Sequence, residues 1–293
     1  MNIGLNYFIK FLVVSTLCLV FAGGLVTSTG SGLAVPDWPL SYGQLMPPMV
    51  GGIRFEHGHR MIASFVGLLT MILMFWLGFG EKRAWLRRTG ILAFGMVVIQ
   101  GVLGGLTVMF LLPPPISILH ASLAQTFFGL TVCMAYATSR EWNQQPMIQI
   151  KELSNVKKML WLALILIYGQ LILGAAFRHT GNQGVVFSHV IGALLVAAQT
   201  AALLIFTLRN CPNEKKIINP VLLFGAGTFF QSIFGMGAFI YKVIIQETVQ
   251  PSVARVWFVT IHQTLGAVLL ATCFFMLIRV YRLSKLNWVS DLK

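Results

Sequence analysis

The sequence predicts an all-α integral membrane protein with eight transmembrane helices, arranged as two tandem, pseudo-symmetric four-helix bundles. Three observations predict this class: an apolar composition, eight long apolar runs, and motifs that recur in the two halves of the chain. Of the 293 residues, 57% are hydrophobic and 10% are charged, whereas a soluble domain carries about 25% charged residues. The composition therefore excludes a soluble enzyme and indicates that the chain lies in the lipid bilayer, which is its main partner.

Each of the eight runs is long enough for one membrane span, which needs about 20 apolar residues. We expect helices because an open sheet edge leaves backbone groups without hydrogen bonds in lipid. A cleaved signal peptide is the alternative interpretation of the first run. The runs are residues 8–28, 56–79, 89–111, 117–138, 158–177, 185–208, 218–241 and 254–280.

The basic residues predict the orientation of the chain. Sixteen of the 21 Lys and Arg residues fall on one side of the predicted membrane, which is the cytoplasmic side by the positive-inside rule. Both termini are therefore expected in the cytoplasm. These residues are scattered between apolar runs, so the net charge of +13 does not indicate binding of nucleic acid.

The recurring motifs predict two units, residues 1–150 and residues 151–293. Gln100 in the third run and Gln231 in the seventh are 131 residues apart, and both precede glycine-rich segments. His59 and His189 are 130 residues apart. Such spacing indicates parallel repeats related by an axis along the membrane normal; chance recurrence of Gly and Gln in apolar helices is the alternative.

Ionisable side chains inside a span are costly and are functional candidates by default. Four of the six histidines fall one per even-numbered run, within about two turns of its outer end. Each is followed four residues later by Ala or Gly, which leaves room for a flat ligand beside the imidazole. These four histidines are His59, His120, His189 and His262.

Histidine pairs at one depth on facing helices can hold haem iron. Four histidines, two in each half, therefore suggest two planar groups, while unrelated polar residues that bond across helices are the alternative. His57 lies about 200° around the helix from His59 and is expected at the membrane interface. His179 is expected in a solvated loop.

Glu56 precedes His59 by three residues on the same helix face, where Val186 and Val259 stand in the sixth and eighth runs. This difference suggests one reactive half and one passive half, although an acid at a helix start is also favoured by the helix dipole. Near the same depth lie Arg60, Arg178 and Arg255, for which pairing with haem propionates and interfacial snorkelling both remain open.

At these residues the sequence resembles the haem A synthase family of cytochrome oxidase assembly, and the resemblance covers the whole chain. Its strongest part is Glu56-His57-Gly58-His59-Arg60, which matches the family's Glu-x-x-His-Arg motif. The loop segments Thr29–Leu33, Pro36–Pro39 and Gly43–Pro48, with one histidine in each later even-numbered helix, complete the pattern.

The resemblance implies an oxidoreductase of the plasma membrane that oxidises a ring methyl of haem O to the formyl group of haem A by successive hydroxylations. His59 and His120 would ligate the substrate haem in residues 1–150, and His189 and His262 would ligate a haem b cofactor in residues 151–293. Glu56 would be the catalytic residue, as a proton acceptor or by stabilising a developing cation. A two-haem, bis-histidine electron carrier without haem chemistry is the alternative function.

The chain departs from the family in its first outer loop. Many bacterial members have two cysteines flanking the Asp-Trp-Pro stretch, and the corresponding positions here are Val35 and Ser41. A thiol or disulfide role of this loop is therefore not expected. The sequence leaves open the electron acceptor, a homo-oligomer, and the docking of a haem O synthase or a cytochrome oxidase assembly factor.

Overall fold

The computed structural model describes residues 3–144, 152–246 and 250–284. Within those ranges every regular element is a helix, apart from an isolated bridge between Ser41 and Gln44. The helices are α1 (Ile3–Ser28), α2 (Ile53–Gly80), α3 (Ala84–Met109), α4 (Pro114–Ala137), α5 (Arg140–Asn143), α6 (Leu153–Thr180), α7 (Gln183–Asn210), α8 (Lys215–Phe239), which continues into a π-helical segment (Ile240–Ile244), and α9 (Val253–Ser284).

Eight of these helices, all except the short α5, are long and apolar enough to cross a membrane. The predicted helical fold and its eight spans are therefore confirmed. The first and fifth apolar runs lie inside α1 and α6, because a helix continues past its apolar part until its terminal backbone groups find other partners.

The end of α6 corrects one prediction. The helix continues to Thr180, and Gly181 ends it in the left-handed conformation with φ of 65°. His179 is therefore half-buried in the last helical turn, not in a solvated loop.

The long helices of each half contact one another in the same order. In the first half α1 contacts α2, α2 contacts α3, α3 contacts α4, and α4 returns to α1; α6, α7, α8 and α9 repeat this order. The pseudo-symmetry of the two halves stays a prediction. The proposed boundary at residues 150 and 151 lies outside the described residues.

Separate apolar cores lie within each half, and a smaller cluster joins the halves. Leu73 and Leu77 belong to the first core and Phe224 to the second, while Phe128 and Ala267 belong to the cluster between the halves. Helices α1 and α4 contact α9, and α4 also contacts α6. The two halves therefore pack directly along these helices.

Polar contacts also join the halves at both ends. We call the end that carries residues 29–52, between α1 and α2, the long-loop end. There the hydroxyl oxygens of Ser28 and Thr260 lie 2.6 Å apart. At the opposite end Arg279 of α9 forms an ion pair of 2.7 Å with Glu141 of α5.

Candidate functional site

Four histidines lie near the long-loop end of the molecule. His59, His120 and His189 each follow the first residue of α2, α4 and α7 by six residues, and His262 follows the first residue of α9 by nine. These four helices begin at the long-loop end, so the imidazoles share that end of the bundle. All four side chains are half-buried.

Each of these imidazoles packs against a glycine of the preceding long helix. A Cβ atom added at the glycine would lie between 2.8 and 3.3 Å from the Cε1 atom of the ring, closer than ordinary van der Waals contact. The absence of a side chain lets the two helices approach closely and fixes the side of the ring that faces the helix. The pairs are Gly23 with His59, Gly104 with His120, Gly174 with His189, and Gly235 with His262.

Three of the four glycines are preceded, one helical turn earlier, by a glutamine that contacts the histidine-bearing helix. The amide nitrogens of Gln100 and Gln170 donate to the backbone carbonyls of His120 and His189 over 3.0 Å and 2.7 Å. The backbone carbonyl of Gln231 lies 3.1 Å from Nδ1 of His262. Gln170 was not predicted from the repeat, although the Gln-x-x-x-Gly spacing is readable in the sequence.

The two histidines of the C-terminal half lie close together. The ring centroids of His189 and His262 are 6.1 Å apart, and the ring planes are at 89°. A metal–imidazole bond is about 2 Å long and the ring centroid lies about 1 Å behind the nitrogen, so two imidazoles on opposite sides of one ion have centroids about 6 Å apart. The observed separation fits a pair of axial ligands.

The histidines of the N-terminal half occupy equivalent positions, since His59 packs on Gly23 of α1 and His120 on Gly104 of α3, and α1 to α4 pack as one group of helices. In the described ranges no three His, Cys, Asp or Glu side chains group as a metal-ion site. Two separate imidazole pairs therefore fit planar metal groups better than an ion held by side chains alone.

Glu56 lies beside His59 and is engaged on both carboxylate oxygens. One oxygen accepts a hydrogen bond of 2.6 Å from Arg60, and the other accepts one of 2.9 Å from the backbone N–H of Val35. The side chain is 4% exposed. Glu56 therefore connects the start of α2 to the first outer loop.

Arg60 is held by the same loop. Its guanidinium donates to the backbone carbonyls of Asp37 and Leu40 over 2.7 Å and 2.8 Å, in addition to its ion pair with Glu56. These contacts are neither pairing with a haem propionate nor interfacial snorkelling, because the charge of Arg60 is already neutralised inside the protein by Glu56.

The loop has its own internal bonds. The Asp37 carboxylate accepts hydrogen bonds from the backbone N–H groups of Gly43 and Tyr42, and these bonds hold the pKa of Asp37 below its ordinary value. The ring of Trp38 fills the space over Gly105, the neighbour of the glycine that contacts His120. The loop is thereby fixed against the N-terminal histidine pair.

The two loop residues Val35 and Ser41 both contact residues of the Glu-x-x-His-Arg motif. Val35 is fully buried and bonds Glu56, and Ser41 is 1% exposed, with its hydroxyl 2.8 Å from Nδ1 of His57. His57, expected at the membrane interface, is buried under the loop, where its Nδ1 atom lies beside the Ser41 hydroxyl.

The small residues that follow the histidines have more than one use. At Gly266, four residues after His262, the nearest atom to an added Cβ is the amide nitrogen of Gln231 at 3.3 Å. The absence of a side chain at Gly266 therefore makes room for the Gln231 side chain, and not only for a flat ligand.

Comparison with known proteins finds similarity in the part of the chain that carries Glu56 and the N-terminal histidines. A family model described as cytochrome oxidase assembly protein matches residues 53–186, which include Glu56, His59 and His120. The chain is 29% identical over 189 residues to a haem A synthase of Exiguobacterium sibiricum, a match that covers 62% of this chain and 61% of the relative.

Two further haem A synthases show similar levels of identity. The protein of Symbiobacterium thermophilum is 30% identical over 171 residues, or 56% of each chain. The protein of Bacillus licheniformis is 25% identical over 238 residues, or 70% of this chain and 77% of the relative. The matches to the first two relatives span less than two thirds of those proteins. The family match covers less than half of the chain, and together with these relatives it shows that the chain is similar to haem A synthases.

Proposed function

We propose that the chain is a haem A synthase of the bacterial plasma membrane, with both termini in the cytoplasm. It oxidises a ring methyl of haem O to the formyl group of haem A by successive hydroxylations, for assembly of cytochrome c oxidase. The conversion takes its oxygen atom from water and removes four electrons, which pass to an electron acceptor outside the chain. His59 and His120 hold the substrate haem in the N-terminal half, residues 1–150. His189 and His262 hold haem b in the C-terminal half, residues 151–293.

The difference in polarity between the two histidine pairs carries this proposal. Three residues before each N-terminal histidine stand the buried polar residues Glu56 and Ser117, and the hydroxyl of Ser117 has no hydrogen-bond partner. The equivalent positions before His189 and His262 are the buried Val186 and Val259. A buried carboxylate and an unbonded hydroxyl at this position of only one pair support chemistry there, because a buried polar group is costly unless it is used or bonded.

Haem b, when bound, supplies one-electron transfer. The residues of the chain position the haem ligands. The four glycines let the imidazole rings pack against the neighbouring helices, and the first outer loop covers the N-terminal histidine pair at the long-loop end. Glu56, held in place by Arg60 and the Val35 N–H, keeps a carboxylate near the reacting methyl, where it stabilises developing positive charge or accepts a proton.

The test is to express the chain with a supply of haem O, purify it, and identify the extracted haems by mass and by their pyridine spectra. The wild type is expected to contain haem b together with haem A or its hydroxylated precursor. Glu56→Gln should retain both haems without the formyl product. Glu81→Gln is the matched control, because Glu81 also pairs with an arginine, Arg83, over 2.8 Å but at the opposite end.

A two-haem electron carrier remains the second candidate, favoured by one observation: both oxygens of Glu56 already have structural partners. A carrier would bind haem b at both pairs and leave haem O unchanged. Recovery of unmodified haem from the wild type would therefore reject the synthase and support the carrier.

A further inference from the structure

Two cations lie at the long-loop end of the C-terminal half. Arg178 is in the last turn of α6, and Lys242 is in the π-helical segment that follows α8. Both are partly buried, and Nζ of Lys242 lies 5.8 Å from the ring centroid of Phe177, the residue before Arg178. The long-loop end of this half therefore concentrates positive charge.

The described chain supplies no carboxylate to these cations. The ion pairs found in residues 3–144, 152–246 and 250–284 join Arg60 to Glu56, Arg83 to Glu81 and Arg279 to Glu141. Arg178 instead donates to two neutral acceptors, the side-chain oxygen of Gln263 and the backbone carbonyl of Gly24. Since removal of two like charges from water is costly without an anion, the site has the chemistry of an anion-binding site.

The position of Arg178 relates this charge to the C-terminal pair. Arg178 follows Gly174, the glycine that contacts His189, by four residues on the same helix. Its hydrogen-bond partner Gln263 is the neighbour of His262, and Arg178 lies within electrostatic range of the His262 ring. A group held between His189 and His262 would have its edge toward the long-loop end near this guanidinium.

The N-terminal half has no cation at the repeat position of Arg178. The 151-residue offset between the halves places Thr27 where the second half has Arg178, and the Thr27 hydroxyl bonds its own helix at the carbonyl of Gly23. Arg60, the cation near His59, is neutralised by Glu56 at 2.6 Å. The two sites therefore differ in charge as well as in polarity.

We infer that Arg178 and Lys242 bind the propionate carboxylates of the haem held by His189 and His262. This inference rests on the proposed function. Charge pairing at one site only would retain that haem as a resident cofactor. The haem of the N-terminal pair, without such pairing, is free to exchange as a substrate must.

The experiment compares haem b with its dimethyl ester, in which both propionates are neutral. Apo-protein in a His59→Ala background, which leaves the C-terminal pair as a complete set of axial ligands, is titrated with each compound in detergent. Arg178→Gln and Lys242→Gln should each weaken binding of haem b by about tenfold or more. Binding of the dimethyl ester should stay within about twofold of the parent, and Arg178→Lys should restore most of the haem b affinity.

Arg54→Gln is the matched control, because Arg54 is an exposed arginine at the same end. A second readout is the reduction midpoint potential of the bound haem, which should fall when either cation is removed, since a nearby positive charge favours the reduced form. Helix content by circular dichroism shows whether each variant is folded, and Lys242→Gln keeps the test open if Arg178→Gln does not fold.

Equal losses of haem b and ester binding would show a merely structural role and overturn the inference, as would unchanged haem b binding and potential in both variants. A parent protein that binds no haem would instead refute the proposed function, so the two failures are distinguishable.

Discussion

A single methyl group added at Gly235 tests whether the histidine rings are held at the position that a metal requires. In Gly235→Ala the new Cβ would lie 2.8 Å from Cε1 and 3.1 Å from Nδ1 of His262. Ordinary contact begins at 3.4 Å, so the ring must move by about 0.6 Å. Metal–ligand distances tolerate about 0.2 Å, so the shift is about three times what the bond allows.

Overpacking of this kind costs about 1–3 kcal/mol, and here the cost falls on the haem-binding conformation. We expect the affinity of the C-terminal pair for haem b to fall by about 5- to 150-fold, together with loss of the low-spin b-type spectrum. The assay is titration of apo-protein with haem b, followed by absorption spectroscopy and analysis of bound haem.

Gly225→Ala is the matched control on the same helix. Its new Cβ would meet Leu204 at 3.7 Å, an ordinary contact, and alanine is favoured over glycine in a helix by about 1 kcal/mol. This variant should bind haem b like the wild type. The reasoning is refuted if Gly235→Ala retains the same haem content and spectrum as Gly225→Ala.

Three further predictions concern the outer loop and the contact between the halves. Changing His57 to Ala should leave the haem content intact but open the loop to limited proteolysis, because His57 bonds the loop and not the histidine pair; a haem loss as large as that from His59→Ala would contradict this. The lowered pKa of Asp37 makes its loop-ordering contribution complete above the ordinary value of 3.8 and lost as the pH falls through the lowered value; Trp38 fluorescence should report this transition in the wild type, and its persistence in Asp37→Asn would reject the assignment. Glu141→Gln should lower the stability by about 1 kcal/mol or less in thermal unfolding, because its pair with Arg279 is partly exposed; a much larger loss would mean that this contact holds the halves together.

The helical spans were predictable from the sequence because the need for backbone hydrogen bonds in lipid is met within each run. A run of about 20 apolar residues must satisfy its backbone within itself in lipid, whatever its neighbours are. The prediction for His179 was wrong for a related reason: hydropathy marks where the apolar part ends, whereas the helix ends at Gly181, which adopts the left-handed conformation.

The candidate site was predictable only in part. The four histidines and Glu56 stand out because ionisable groups are rare in an apolar chain. The glycines that contact the rings were not assigned that use, because glycine is common in membrane helices and its partner is set by packing between helices. Gln170 precedes Gly174 by four residues, the same spacing that separates Gln100 from Gly104 and Gln231 from Gly235. This spacing is a signal in the sequence from which Gln170 was predictable.

The sequence by itself determined the helical class, the number of spans, the shared level of the histidines and the family resemblance, because each follows from composition or from spacing within one helix. Tertiary structure alone decided that the loop carbonyls of Asp37 and Leu40 hold Arg60, while Arg178 reaches Gly24 and Gln263 without a carboxylate. Such contacts join residues that are far apart in the chain. Which charges are compensated therefore depends on how the helices pack, and no local pattern encodes it.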